Sequence, residues 1–177
     1  MIKLYSKYYL IKINNILSTN LKPPLTYYDL GILNEFIDSD TINEVLINSY
    51  DNKINISFKI LQETNSCEPS IIFSSLGHDL MISIGNNCYK INLKNQSISS
   101  NDEFESVFYS FIPIEKLNKV LSIHETGVVC YSYDSFDEIW RVDTDLITSW
   151  NITDNKLELY LSDEINEVYL LESGVKY

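Results

Sequence analysis

The sequence of 177 residues lacks alanine altogether and contains only five glycines, four prolines and a single arginine, Arg141. Alanine is the strongest helix former, so its absence, together with many isoleucine, asparagine and tyrosine residues, favours strands over helices. The three cysteines, Cys67, Cys88 and Cys130, are widely separated and form no CxxC pair. Buried, reduced thiols therefore explain them better than a disulfide framework or a metal site.

The apolar runs are also short, and none approaches the roughly 20 residues that a membrane-spanning helix needs. Two lysines precede an N-terminal apolar run, as in an export signal, but Lys12 and Asn14 interrupt that run and no small-residue cleavage site follows. We therefore expect a soluble, cytoplasmic protein. A chain of this length can bury one sizeable core, so we expect a single domain over residues 1–177. Within it, residues 1–65 can form a small N-terminal subdomain ahead of a β-meander over residues 66–177.

Residues suited to catalysis or metal binding are few. His78 and His124 are the only histidines, and His124 and Glu125 would point to opposite faces of a strand. The sequence contains no GxSxG elbow and no glycine-rich phosphate loop. Asp143 and Asp145 would share one face of an extended segment, either as half of a cation or glycosidase site or, as we prefer, as a solvated turn. We therefore predict no enzyme activity, no cofactor and no metal.

Apolar residues recur with a period of two in several segments, as they do in strands with one solvent-facing side. In residues 53–61, every second residue from Ile54 to Ile60 is apolar. Short turn signals such as residues 85–87 and 154–155 suit hairpin connections. From residue 78 onward the sequence predicts a meander, with strands near residues 79–84, 88–93, 106–112, 119–124, 128–133, 137–142, 147–152, 156–161 and 166–171.

Two segments have features of short helices. Thr26 and Asp29 have the spacing of a capping box, and the apolar residues that follow fall on one helical face: Leu30, Leu33, Phe36 and Ile37. Proline is tolerated at the first position of a helix, so Pro113 predicts one further turn through residues 115–117.

A short repeat is visible at an offset of 42 residues (130 − 88), where Cys88-Tyr89 corresponds to Cys130-Tyr131. That offset lies within the ~40–45 residues of a propeller blade. We therefore predict a mainly β fold, α+β at most. It would be an antiparallel meander with one or two short helices, arranged as a propeller or half-propeller or, alternatively, as an antiparallel sandwich.

Acidic residues are concentrated in the second part of the chain. Residues 1–100 contain nine acidic and eight basic residues, whereas residues 101–177 contain sixteen and five, so nearly all of the net charge of −12 arises there. Such an excess repels a phosphate backbone and argues against nucleic-acid binding. It attracts and orients a cationic protein instead, because a field of one sign steers association.

Aromatic residues are interleaved with these acids, a mixture that suits a protein interface. Tyrosine and tryptophan serve as contact anchors, while carboxylates raise the association rate of a basic partner. The alternative is that Phe136, Trp140 and Trp150 are simply core residues. We predict a partner-binding face on the hairpins between about residues 124 and 167, formed by Glu125, Tyr131, Tyr133, Asp134, Asp137, Glu138, Asp143, Asp145, Asp163 and Glu164.

A small, acidic, strand-rich chain without a catalytic constellation resembles the immunity proteins of bacterial polymorphic toxin systems, including contact-dependent growth inhibition. The resemblance implies that the chain binds the C-terminal toxin domain delivered by a sibling cell and occludes its active site. Many such toxins are basic nucleases, so the resemblance implies a basic partner, with an RNase of the EndoU type as our expectation. Two other classes stay open: a propeller-like ligand-binding or scaffold domain without a toxin partner, and a hydrolase that uses unrecognised carboxylates.

Overall fold

The structure, a computed structural model, describes residues 2–5, 9–16, 28–33, 41–51, 53–62, 70–84, 86–103, 106–163 and 165–177. These residues form strands joined by short turns, with one 3₁₀ helix at Glu115–Leu117. The strands are β1 (Ile2–Tyr5), β2 (Tyr9–Ile16), β3 (Tyr28–Leu33), β4 (Thr41–Ser49), β5 (Asn55–Gln62), β6 (Ser70–Phe73), β7 (Asp79–Ile84), β8 (Asn87–Asn92), β9 (Ser97–Glu103), β10 (Phe108–Ile114), β11 (Lys119–His124), β12 (Gly127–Ser132), β13 (Glu138–Asp143), β14 (Ile147–Thr153), β15 (Lys156–Leu161) and β16 (Asn166–Leu170).

The strands pair into four consecutive sheets. The first has the order β1-β2-β4-β5-β3, the second β6-β7-β8-β9, the third β10-β11-β12-β13 and the fourth β14-β15-β16. In the second, third and fourth sheets the spatial order equals the chain order, and every pair is antiparallel. Four-stranded antiparallel meanders of this kind are the units from which propellers are built. The prediction of a mainly β, antiparallel meander is therefore confirmed.

Buried apolar side chains form three layers, each between two successive sheets. One cluster joins the first and second sheets through residues such as Phe58 and Leu80. A second, which includes Met81 and Val129, joins the second and third sheets. The last joins the third and fourth sheets. Each fully buried aliphatic or aromatic side chain stabilises the fold by about 1.5–3 kcal/mol, so these layers hold the sheets together.

The repeat detected in the sequence corresponds to a structural repeat. Cys88 and Cys130 lie in the third strands of the second and third sheets, and each faces the following sheet. Tyr89 and Tyr131, one residue later, each face the preceding sheet. Tyr169, in the third strand of the fourth sheet, also faces the preceding sheet. The sequence did not reveal this third copy because it lies 38 residues (169 − 131) after the second, with Val168 in place of cysteine.

Most of the strands predicted after residue 78 agree with the structure within two residues, and β7, β11 and β15 have the predicted bounds. The prediction missed β9, whose sequence SISSNDE is almost entirely polar. Backbone pairing with β8 holds this strand in the sheet, so its side chains need no apolar pattern.

The helix predicted after Thr26 is wrong where the structure describes it, because Tyr28–Leu33 forms β3, paired in parallel with β5. Pairing with a neighbouring strand outweighs the local pattern, since a short helix is marginal by itself. Phe36 and Ile37 lie outside the described residues. The turn predicted after Pro113 does form, but Pro113 belongs to β10 and the 3₁₀ helix begins at Glu115. The predicted subdomain boundary at residue 65 remains a prediction.

Candidate protein-binding surface

The loops of the third and fourth sheets gather at the two ends of their strands. We call one of these ends the acidic end. It carries residues 106–107, 125–126, 144–146, 162–163 and 165. The opposite end carries residues 115–118, 133–137 and 154–155, together with residues 74–78 of the second sheet. The six residues of β12 separate the two ends by about 17 Å, at a rise of about 3.3 Å per residue.

Backbone hydrogen bonds fix the loops of the acidic end to one another. The amide of Glu125 donates to the carbonyl of Val107 at 2.8 Å, and the amide of Ile147 donates to the carbonyl of Glu125 at 2.7 Å. The amide of Ser162 donates to the carbonyl of Leu146 at 2.9 Å, which links the loop after β15 to the segment before β14. These hydrogen bonds link the described parts of the loops into one surface.

Four of the predicted site residues, Glu125, Asp143, Asp145 and Asp163, meet at this end. The three aspartates are exposed and Glu125 is half-buried. None of the four forms an ion pair with another described residue. Their charges therefore add to one negative field that faces solvent, which is the arrangement that steers a cationic partner.

Three exposed aliphatic side chains lie among these carboxylates. Val107 is 37% exposed, Leu146 is 39% exposed and Ile165 is 53% exposed. Sequence reasoning missed them because single apolar residues in acidic loops have no periodicity. The one feature of the sequence that could have indicated them is an aliphatic residue directly beside an acidic one, as in Asp145-Leu146. Exposed apolar side chains beside carboxylates without ion pairs would supply the apolar contacts and the polar rim of an interface.

A cavity of about 500 Å³ lies at the same end of the third sheet. His124 contributes to it and is buried, with its Nε2 atom 2.8 Å from Ser122 Oγ. Burial, reinforced by the positive charge of Arg141, lowers the pKa of His124 to about 4, so this imidazole is neutral at pH 7. Ser122 is fully buried, so a substrate cannot reach its hydroxyl, and the pair is not arranged as a nucleophile and base. The other lining residues are Ser106, Thr126, Gly127, Val128, Val129, Arg141, Val142, Asp143 and Thr144.

Four other predicted site residues, Tyr133, Asp134, Asp137 and Glu138, lie at or next to the opposite end. Asp134 accepts hydrogen bonds from Ser75 and, at 2.6 Å, from Asn118, and these bonds lower the pKa of its carboxyl. Tyr133 is half-buried against the core.

The two remaining acids near this end have cationic partners. The Asp137 carboxylate accepts from Ser135 at 2.7 Å and pairs with Lys90 at 3.5 Å, and these contacts lower the pKa of Asp137. Glu138 forms an ion pair with Arg141 at 2.8 Å. These two carboxylates are paired with cations, whereas at the acidic end Asp163 accepts a hydrogen bond from the amide of Ile165 at 3.2 Å and no described cation pairs with the four acids.

The last two predicted site residues are placed differently. Tyr131 is buried in the layer between the second and third sheets, so its side chain is a core group and not a surface anchor. Glu164 lies outside the described residues. Phe136 and Trp140 are buried as well, in agreement with the alternative that the sequence left open for them.

No metal site or membrane-spanning helix is found in the described part of the chain. Its histidine, cysteine and acidic side chains form no group of three that could hold a metal ion. None of its helices combines the length and the hydropathy that crossing a membrane requires.

Comparisons with known proteins bear on the fold alone. No protein-family model matches the sequence, and no curated protein is significantly similar to it. The chain is similar to the dihydro-heme d1 dehydrogenase NirN, solved in complex with DHE, with a TM-score of 0.53 and 12% sequence identity. The match covers 77% of this chain and 33% of NirN, so the chain spans about a third of that protein's length.

Two further solved structures have lower TM-scores. The computationally designed Ika8 protein has a TM-score of 0.47 and 13% identity, over 80% of this chain and 46% of Ika8. Kluyveromyces lactis Hsv2 has a TM-score of 0.36 and 11% identity, over 60% of this chain and 34% of Hsv2.

Proposed function

We propose that this chain is an immunity protein that binds a basic toxin domain through its acidic end, in the cytoplasm of the cell that makes it. One observation carries the proposal: Glu125, Asp143, Asp145 and Asp163 share one surface, without ion pairs in the described part of the chain. Carboxylates that serve stability are usually paired with a cation, as Glu138 is with Arg141, or hydrogen-bonded through both oxygens, as Asp134 is to Ser75 and Asn118. At the acidic end, Asp163 accepts one hydrogen bond, from the amide of Ile165.

The charges and the aliphatic groups would have different roles in such a complex. Exposed carboxylates accelerate the encounter with a basic protein, and this effect falls steeply as salt is added. Val107, Leu146 and Ile165 would then lose contact with water, which slows dissociation.

Inhibition in this proposal is stoichiometric and needs no chemistry by the inhibitor. A nuclease concentrates cationic side chains where it holds the phosphates of its substrate. A surface of fixed carboxylates is complementary to such a site and would occupy it in place of RNA or DNA. An RNase toxin of the EndoU type is the partner that we propose first.

The test begins with the gene directly upstream: where it encodes a large secreted protein, the C-terminal domain of that protein is used as the toxin. A triple variant, Asp143→Asn with Asp145→Asn and Asp163→Asn, should slow association with that domain by about tenfold at low ionic strength. Stopped-flow fluorescence measures the rate, and survival of cells that express the toxin measures protection.

The matched control is Glu115→Gln with Asp154→Asn and Glu172→Gln. It changes the net charge by the same three units but alters exposed acids outside the acidic end. Association of the control should stay within about twofold of the unmodified protein. Equal slowing by both triple variants would assign the effect to net charge, and no slowing by the first would exclude the acidic end as the binding surface.

A propeller-like ligand-binding or scaffold domain is the second candidate, favoured by the four-stranded meanders of the second and third sheets. Such a domain would bind its ligand or peptide with little dependence on salt. The salt dependence of whatever the protein captures therefore separates the two candidates.

A further inference from the structure

A larger cavity, of about 970 Å³, lies between the first and second sheets, away from the acidic end. One wall is formed by residues 49–51 and 53–54, between β4 and β5, and the other by residues that follow β6 and lie at the end of β8 and after it. None of the residues predicted to bind a partner lines this cavity.

The walls of this cavity are fixed by their own hydrogen bonds. Ser49 Oγ accepts from the amides of Lys53 at 3.1 Å and Ile54 at 2.9 Å. On the other wall, the amide of Leu93 donates to the carbonyl of His78 at 2.9 Å. Binding sites for small molecules are usually formed in advance in this way.

Two large apolar side chains of the lining remain exposed. Tyr50 is 55% exposed and Leu76 is 59% exposed. Ile54 adds a half-buried aliphatic surface between them and the core. A concave site with several apolar groups and a few charged groups is the usual form of a small-molecule site, and it favours a ligand with an apolar body.

The charged groups of the lining favour an anion. Asp51 is occupied, because it accepts from Ser49 at 2.6 Å and pairs with Lys53 at 3.0 Å. Lys94 lines the same cavity and forms no ion pair in the described part of the chain. Among the described residues Lys94 therefore remains as a cation without an ion pair, in a protein whose net charge is −12.

We propose that this cavity binds a small organic anion whose apolar body lies against Tyr50, Ile54 and Leu76 and whose carboxylate pairs with Lys94. A carboxylate on an alkyl or aryl chain has this chemistry. Since the cavity does not include the carboxylates of the acidic end, the inference stands or falls independently of the proposed function.

The test compares 4-phenylbutyrate with 4-phenyl-1-butanol, a neutral molecule of similar shape. Titration followed by NMR should show 4-phenylbutyrate binding about tenfold more tightly, with shifts at Leu76 and His78. Lys94→Gln should remove this preference and leave the affinity for the alcohol unchanged. Leu76→Ser should weaken both ligands. Because both positions are exposed, the variants should fold, and their circular dichroism spectra check this directly.

Lys116→Gln is the matched control, since it removes an exposed lysine that does not line the cavity. It should leave both affinities unchanged. Absence of shifts with either molecule at millimolar concentration overturns the inference. Equal affinity for the acid and the alcohol in the unmodified protein overturns it as well, because Lys94 would then not pair with the carboxylate.

Discussion

The indole ring of Trp140, in the third sheet, covers Gly174, in the turn that follows the fourth. A Cβ atom at residue 174 would lie 2.7 Å from Trp140 Cδ2, so only glycine fits under the ring. The indole N–H also donates to the carbonyl of Leu171 at 3.1 Å, and Lys119 Nζ donates to that carbonyl at 2.8 Å. The chain after β16 is thereby fixed to the third sheet.

Gly174→Ala should therefore destabilise the protein. Gly174 has a φ of +68°, and an L-residue in that conformation costs about 1–2 kcal/mol before any displacement of Trp140 is counted. We expect the free energy of unfolding in urea to fall by about 2 kcal/mol or more. Glu172→Ala, at an exposed position of the same turn, is the control and should change it by less than about 0.5 kcal/mol. An unchanged midpoint for Gly174→Ala would show that the ring does not hold this turn.

His124 should make the protein less stable in acid. Its pKa is lowered from 6.5 to about 4, so below pH 6.5 the unfolded chain binds a proton that the folded protein excludes. Stability from this group is complete above pH 6.5 and falls between pH 6.5 and 4, by roughly 3 kcal/mol in all. The measurement is the difference in unfolding free energy between the protein and His124→Gln, which does not titrate there. A difference that stays constant over this range would contradict the buried, neutral imidazole.

Replacing an aspartate by asparagine should change the melting temperature differently at the two ends of the strands. Asp134→Asn keeps one acceptor oxygen but replaces the other by an NH2 donor and removes the charge, which weakens the hydrogen bonds from Ser75 and Asn118, so we expect a lower melting temperature. Asp143→Asn and Asp145→Asn remove charges without ion pairs in the described chain, so the melting temperature should stay the same or rise slightly at low salt. Differential scanning fluorimetry measures both. A clear fall for the variants of the acidic end would mean that those carboxylates serve folding and not a partner.

Cys88 and Cys130 should resist thiol reagents in the folded protein. Both are buried, and burial raises the pKa of Cys130 to about 11, which leaves little thiolate at pH 8. In a Cys67→Ser variant, a disulfide reagent such as DTNB should react slowly with the native protein and with two thiols after denaturation. Fast reaction of the native variant would show that a layer between sheets opens readily.

The sequence predicted the fold better than the surface. Strands with alternating apolar residues, such as β15, were found with their observed bounds because burial of one face imposes that pattern. The strand at Tyr28–Leu33 was not predicted, because its pairing with β5 depends on residues that lie far along the chain. The same limit applies to the site. Strand spacing placed Asp143 and Asp145 together, but only the pairing of strands shows that Asp134 lies at the other end.

The tyrosines at residues 89, 131 and 169 point backward from the third strand of three successive sheets. Each of the three interfaces therefore receives a tyrosine from the same strand of its later sheet. In repeat proteins each unit depends mainly on its neighbours, so damage to one such interface should first loosen the two sheets that share it.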